Sequence, residues 1–247
     1  KNWSQAKSTF QEILSHELAE KMSPEFRLKV TIHLADCHIH LDSFNEAREI
    51  LENRTIINLN EAVEDISTKV SYHLVYGHAI SENWGLEASD KAFNEALRLA
   101  ESSNNSSLVE SVLESMLYVG RLLKNWNYLL ERANLASDIA NEKQLENLDT
   151  RACEARAKAY SELGHLDEAI SIAKKLLAHS RESKNVDEYT EWSQFINGLN
   201  SKLTKNKPTN ENQISAKIDK SITIEELPQA GDFSTQKESS HTEESAA

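Results

Sequence analysis

A bulky apolar residue opens a similar segment again and again along this chain. Trp3, Phe44, Trp84, Trp126 and Leu166 are separated by 41, 40, 42 and 40 residues, inside KNWSQAKSTF, DSFNEAREIL, ENWGLEASDKAF, KNWNYLLERA and HLDEAI. A near-constant interval of this length marks a repeat array. Each unit is one supersecondary element that cannot bury its apolar face alone, so neighbours stack to make a continuous core. The chain is thereby constrained to an elongated, nearest-neighbour architecture before any other residue is considered.

The clearest unit is Arg151–Ala178, RACEARAKAYSELGHLDEAISIAKKLLA. Its apolar residues Ala157, Tyr160, Leu166, Ala169, Ile170, Ala173 and Leu177 recur at helical spacing on either side of a break at Gly164-His165, which predicts two helices packed as a hairpin. Ala157 and Ala169 are small enough to let the two axes approach.

This pattern resembles the tetratricopeptide repeat, with a small residue and an aromatic in the first helix (Ala157, Tyr160) and a small residue in the second (Ala169). Ala173 stands where that family usually has Phe, and the period exceeds the usual length of about 34. The resemblance implies an all-α fold: a right-handed superhelix of antiparallel helix hairpins, a TPR-like α-solenoid with a C-terminal capping helix. Similar extended repeats occur in scaffolds, motor light chains and bacterial regulators.

Taken in order, residues 1–204 form this array. Residues 1–22 hold a lone second helix, with Trp3 and Phe10 expecting a preceding helix upstream. The later units are 23–56, 60–103, 106–142 and 144–184, with a cap helix at 186–203. Ser23-Pro24 is an N-cap followed by proline at the first helical position. Residues 53–60 read as a loose connection, and Asn60 as the cap of a helix over 61–82 with Gly77 in the small-residue slot. In the third hairpin Leu129 fills a slot that wants a small residue, which predicts wider separation there. Asn185 and Glu188 make a capping-box-like start for the last helix. Residues 205–247, rich in Ser, Thr and Glu, cannot bury enough apolar surface to order themselves and are predicted disordered. Ile222–Pro228 is their one apolar island, and Thr223, Thr235 and Ser240, each with Glu three residues on, match acid-directed phosphorylation patterns.

The net charge of −13 argues against a nucleic-acid partner, which requires a concentrated basic face. No apolar run is long enough to span a bilayer. Cys37 and Cys153 lie in different repeats, so no disulfide is expected and a reducing compartment, the cytoplasm with the nucleus also open, is the default. The sequons at Asn53 and Asn104 matter only in a secreted protein. His33, Cys37 and His40 share one helix face and are zinc-ligand types, but one helix rarely completes a tetrahedral shell, and no metal or other cofactor is predicted. No nucleophile, base and orienting group can be assembled from spacing, so no enzyme is expected. The periodic tryptophans Trp3, Trp84 and Trp126, and Trp192 in the cap, read as wedges between helices.

The resemblance also implies where a ligand lies, along the inner first helices. Carried over slot by slot, the groove comprises Lys29, Ile32, Asp36, Ile39 and His40 in the first full hairpin, then Leu74, His78 and Glu82. The third hairpin offers Glu114, Tyr118 and Arg121; the fourth offers Arg151, Glu154, Lys158 and Glu162. The Lys/Asn/Lys/Arg clamp that chaperone-binding members use for a terminal carboxylate is replaced by Ile32, Asp36, Leu74 and His78, which disfavours a chaperone C-terminal peptide. The expected function is a non-enzymatic scaffold or adaptor that binds a protein or peptide partner, with Ile32, Ile39 and Leu74 making one end of the groove apolar. The alternative is a sensory module that binds a small effector and controls an attached output domain. Homo-oligomerisation is left open by the sequence.

Overall fold

The computed structural model describes residues 2–206 other than Leu18, and for Glu20, Asn83, Trp84, Lys205 and Asn206 it describes the backbone alone. The segment expected to be disordered, with Ile222–Pro228 and the three phosphorylation patterns, lies outside the described residues.

Among the described residues there is no strand. Helix α1 (Trp3–Ser15) is followed by a single 3-10 turn at Ala19–Lys21, then α2 (Pro24–Ile39), α3 (Phe44–Leu51) and α4 (Arg54–Ala62). Helices α5 (Ile66–Trp84), α6 (Leu86–Ser102), α7 (Ser106–Leu122) and α8 (Trp126–Lys143) form two further hairpins. The chain continues through α9 (Glu146–Glu162), α10 (Leu166–Glu182) and α11 (Val186–Asn206). From α5 onward each helix packs on its chain neighbours, while α2, α5, α7 and α9 also contact one another in series. This is an all-helical solenoid with an inner row of first helices.

The termini of the helices explain the punctuation of the sequence. Ser23 accepts a hydrogen bond from Phe26 N at 3.2 Å ahead of Pro24, and Asn125 accepts from Tyr128 N at 3.1 Å, each satisfying a donor the first helical turn would otherwise leave free. Asn185 does the same for Glu188 N at 3.3 Å and so starts the last helix. At helix ends, Asp42, Lys124, Gln144, Gly164 and Lys184 adopt positive φ. The amide after each bonds back to a carbonyl five residues earlier, as in Ser43 N to His38 O at 2.9 Å and Asn125 N to Gly120 O at 3.0 Å. This closure satisfies the last carbonyls and fixes the angle at which the next helix leaves.

One expectation fails in the second unit. Residues 53–60 are not a loose connection, and Asn60 does not cap a helix over 61–82. Asn53 caps α4 through Thr55 N at 2.9 Å, and Ile56 and Val63 sink into the same core as Leu28 and Leu51. The cap of the following helix is Asp65, which accepts from Thr68 N at 3.0 Å. Asn60 is left inside α4 with its side-chain oxygen buried and unpartnered.

The third hairpin also differs from expectation at its turn. A Cβ on Gly120 would sit 3.2 Å from Leu129 Cα, so the axes of α7 and α8 are close there. The small residue that the slot requires is supplied by the opposite helix. In the second hairpin, a Cβ on Gly77 would sit 2.6 Å from the ring of Phe93, itself completely buried. Trp192 is buried under the last hairpin, whereas Trp126 and Trp3 are half-buried. The side chain of Trp84 lies outside the described residues.

Candidate functional site

The inner row places three helix ends along one edge. Asp36, Ile39 and His40 come from α2 and the residue after it, Asp42 and Phe44 from the turn and the start of α3, and Ser81 and Glu82 from the last turn of α5. Tyr118, Arg121 and Leu122 come from the last turn of α7, with Glu114 one turn earlier and Arg151 reaching in from α9. Together they line a cleft of about 610 Å³. His78 forms part of its wall, edge-on to Phe93 at 5.3 Å and to Tyr118 at 5.8 Å between ring centroids.

The groove expected from the sequence is thus divided. Asp36, Ile39, His40, His78, Glu82, Tyr118, Arg121 and Arg151 meet in the cleft, as does Glu114. Ile32 does not: its side chain is 3% exposed and belongs to the core of the first full hairpin. Leu74 packs against the central core. Both are corrections to an apolar end built from Ile32 and Leu74, and they share one cause. Ile32 precedes Asp36 and Ile39 by four and seven positions, and Leu74 precedes His78 and Glu82 by four and eight, so each shares the face of its cleft-lining neighbours but lies at least one turn back from the helix ends that line the cleft. Lys29 turns away to Glu25 at 2.5 Å and Asp65 at 3.5 Å. Glu154 and Lys158 lie farther along α9, with Lys158 Nζ 3.8 Å from Glu191 of the cap helix, and Glu162 is exposed at the end of α9.

Several cleft residues were missed by the slot argument: Asp42, Phe44, Leu117 and Leu122. Leu122 and Tyr118 share a face of α7 at i, i+4, and are 43% and 53% exposed. The signal available in the sequence was this apolar pair at the end of a helix whose core positions were already filled.

Charges inside the cleft are partly matched. Arg151 Nε lies 3.0 Å from Glu114 Oε1, and His40 Nε2 lies 3.7 Å from Asp36 Oδ1. The indole of Trp3 stacks on the His40 ring at 3.8 Å and covers one of its faces. Burial, with His40 as a smaller contribution, pushes the His78 imidazole down to about 4, so it is neutral near pH 7. Burial raises the Glu154 carboxyl, opposed by Lys158 and Arg121 and reinforced by Glu188 and Glu191. Among the described residues no three His, Cys, Asp or Glu side chains gather as a metal shell. His33 stacks on Phe10 at 5.6 Å and Cys37 is buried.

A second cavity, of about 760 Å³, lies on the other side of α5 against α4 and α6. Several of its polar groups are already engaged, Asn60 Oδ1 being a buried exception: Arg98 forks onto Glu95 at 2.6 and 2.9 Å, Lys91 reaches Glu87 at 3.1 Å, and Tyr76 donates to Glu52 at 2.9 Å. Tyr72 donates to the Leu51 carbonyl at 3.1 Å. A ligand there would have to displace existing bonds, and the inner cleft is the better candidate.

No family model matches the chain, and no curated protein matches it. Among solved structures it is similar to a Signal Transduction ATPase with Numerous Domains (STAND) protein with a tetratricopeptide repeat sensor from Pyrococcus horikoshii. The TM-score is 0.64 over 85% of this chain, at 13% identity. The chain spans about a third (34%) of that protein's length. At that identity the likeness shows the fold alone, a TPR-like helical repeat. No helix among the described residues is long and apolar enough to cross a membrane.

Proposed function

We propose that the chain is a non-catalytic interaction module that holds a peptide or helix of a protein partner in the inner cleft. The observation that carries this reading is the pair Tyr118 and Leu122, exposed on one face of α7 at the centre of a concave surface built from four successive repeat helices. An aromatic and an aliphatic side chain exposed together in a concavity offer a partner apolar surface to bury, and tyrosine in particular is enriched among the residues that carry binding energy at interfaces. Polar groups of both signs around them would fix register. The slots that grip a terminal carboxylate in chaperone-binding repeats offer only Asp36 and a neutral His78 to the cleft, which supports a partner of another kind.

Peptides selected from a random display library on the full chain test this. They should shift the NMR signals of Tyr118, His40 and Arg151, and should lose binding to a Tyr118→Ala, Leu122→Ala double variant that keeps its helicity. Selected peptides that bind this variant unchanged would place the interaction elsewhere.

The likeness to a protein described as having a tetratricopeptide repeat sensor, of which this chain spans 34%, supports a second reading. Here the cleft receives a small effector and the chain controls an attached output domain. A cavity of about 610 Å³ lies within the range used for small ligands. A screen of metabolites by thermal shift, repeated on the same double variant, separates the two.

A further inference from the structure

Four carboxylates line the cleft, Asp36, Asp42, Glu82 and Glu114, against two guanidiniums, Arg121 and Arg151. Arg151 is paired with Glu114 at 3.0 Å, and Arg121 lies close enough to Glu154 to oppose the rise of that carboxyl. Asp42 and Glu82 make no ion pair among the described residues, and neither does Arg121, which leaves two such carboxylates to one guanidinium. Their positions sharpen the imbalance. Glu82 lies in the last turn of α5, which carries no basic residue, and Asp42 follows the end of α2. Helix C-termini already present partial negative charge, so acids placed there oppose the macrodipole and gain nothing for the fold. The negative potential at this edge therefore combines two carboxylates with two helix ends, beside the Tyr118–Leu122 pair.

We propose that the partner segment is a basic-apolar peptide. An aliphatic or aromatic side chain rests on Tyr118 and Leu122, and a neighbouring lysine or arginine places its cation between Asp42 and Glu82. This rests on the peptide-binding reading of the same cleft and names the chemistry of its occupant. Charge complementarity selects that occupant: an acidic segment would meet two unneutralised carboxylates, and a purely apolar one would leave them facing its own surface. The net charge of −13 adds long-range attraction for a basic partner.

The test uses the full chain and three short fluorescein-labelled peptides that share a Leu-Phe pair flanked by two Arg, two Gln or two Glu. In fluorescence anisotropy at low ionic strength, the Arg peptide should bind about three- to tenfold tighter than the Gln peptide, with the Glu peptide weakest. Added salt should narrow the spread. The Asp42→Asn, Glu82→Gln double variant should abolish the ranking. Asn tolerates the left-handed φ of 57° at position 42, and circular dichroism checks that the variant is folded. Tyr118→Ala should weaken all three peptides by a similar factor. Equal binding by the three, tighter binding of the Glu peptide, or a ranking that survives in the double variant overturns the charge assignment while leaving the peptide reading intact. If none of the three binds, both fall.

Discussion

The hydroxyl of Tyr128 donates to Asp90 Oδ1 at 2.8 Å across 38 residues of sequence, tying α8 to α6. Arg132 Nη2 meets the other carboxylate oxygen at 3.0 Å, and its guanidinium lies over the Tyr128 ring, 5.1 Å from the centroid. One carboxylate thus organises the second helices of neighbouring hairpins, in a place where Arg132 is 14% and Asp90 19% exposed. Burial, followed by the bond to Asp90, pushes the Tyr128 phenol far above its ordinary range.

Removing the shared acceptor should cost more than removing either donor. Asp90→Ala leaves a half-buried guanidinium whose remaining partner is the exposed Glu131 at 3.3 Å, and should destabilise by about 2–3 kcal/mol. Tyr128→Phe should cost about 1 kcal/mol. Urea unfolding of the two variants and their combination checks this. Additive losses would mean the two residues act independently.

Two glycines in helices should respond oppositely to the same change. Gly77→Ala drives a methyl into the Phe93 ring, which is fully buried and cannot yield, and should cost about 1–3 kcal/mol. Gly198 in α11 has nothing within 4 Å of a Cβ, so Gly198→Ala should gain about 0.5–1 kcal/mol through helix propensity. Thermal unfolding of both, measured in parallel, reads the signs. A stabilising Gly77→Ala would contradict the close approach of α5 and α6.

The cap of α5 should be visible in acid. Asp65 accepts from the Thr68 hydroxyl, Ser67 and Thr68 N; these bonds, with Lys29, hold its carboxyl down to about 2. Its folded value lies below its unfolded one, so its contribution is complete above about pH 4 and is lost as pH falls toward 2. Asp65→Ala should therefore cost about 1 kcal/mol at pH 7 and progressively less below pH 4. Guanidinium midpoints for both proteins between pH 7 and pH 2 would show the curves converging in acid. Parallel curves would remove Asp65 as the source.

How much of this was legible in the sequence follows from what each signal measures. The recurring bulky residues and the Ala157/Ala169 pair report packing within and between repeats, and the helices form as that periodicity requires. Asn60 misled because Asn also occurs inside helices, and only tertiary burial of Ile56 and Val63 makes α4 worth forming. Slot transfer located the helices that line the cleft and the faces they present, but not how far along each axis the cleft extends: Ile32, one turn before the cleft-lining Asp36 on the same face, is covered by neighbouring helices. Asp42 could not be found at all from first-helix slots, because it sits in a turn. Its placement depends on the left-handed closure after α2.

His78 should make stability pH-dependent in a higher window than Asp65. Its ring is held among His40 of the α2 end, Phe93 of α6 and Tyr118 of α7, and burial lowers its value from 6.5 to about 4. At pH 7 both folded and unfolded forms are neutral, and His78 contributes no slope. As pH falls below 6.5 the unfolded chain takes up the proton while the folded chain does not, so stability declines until the folded group titrates near 4. The full loss is at most about 3.5 kcal/mol, since one pKa unit corresponds to ~1.4 kcal/mol. His73 and His38 are shifted in the same direction by burial, so the slope of the whole protein is shared. His78→Gln should flatten the urea midpoint between pH 6.5 and 4 relative to the parent without reversing it. An NMR titration of the imidazole signals isolates the residue itself. A His78 resonance that titrates near 6.5 would mean the ring is hydrated, and the cleft wall between α5 and α7 would then be open to water where it is closed here.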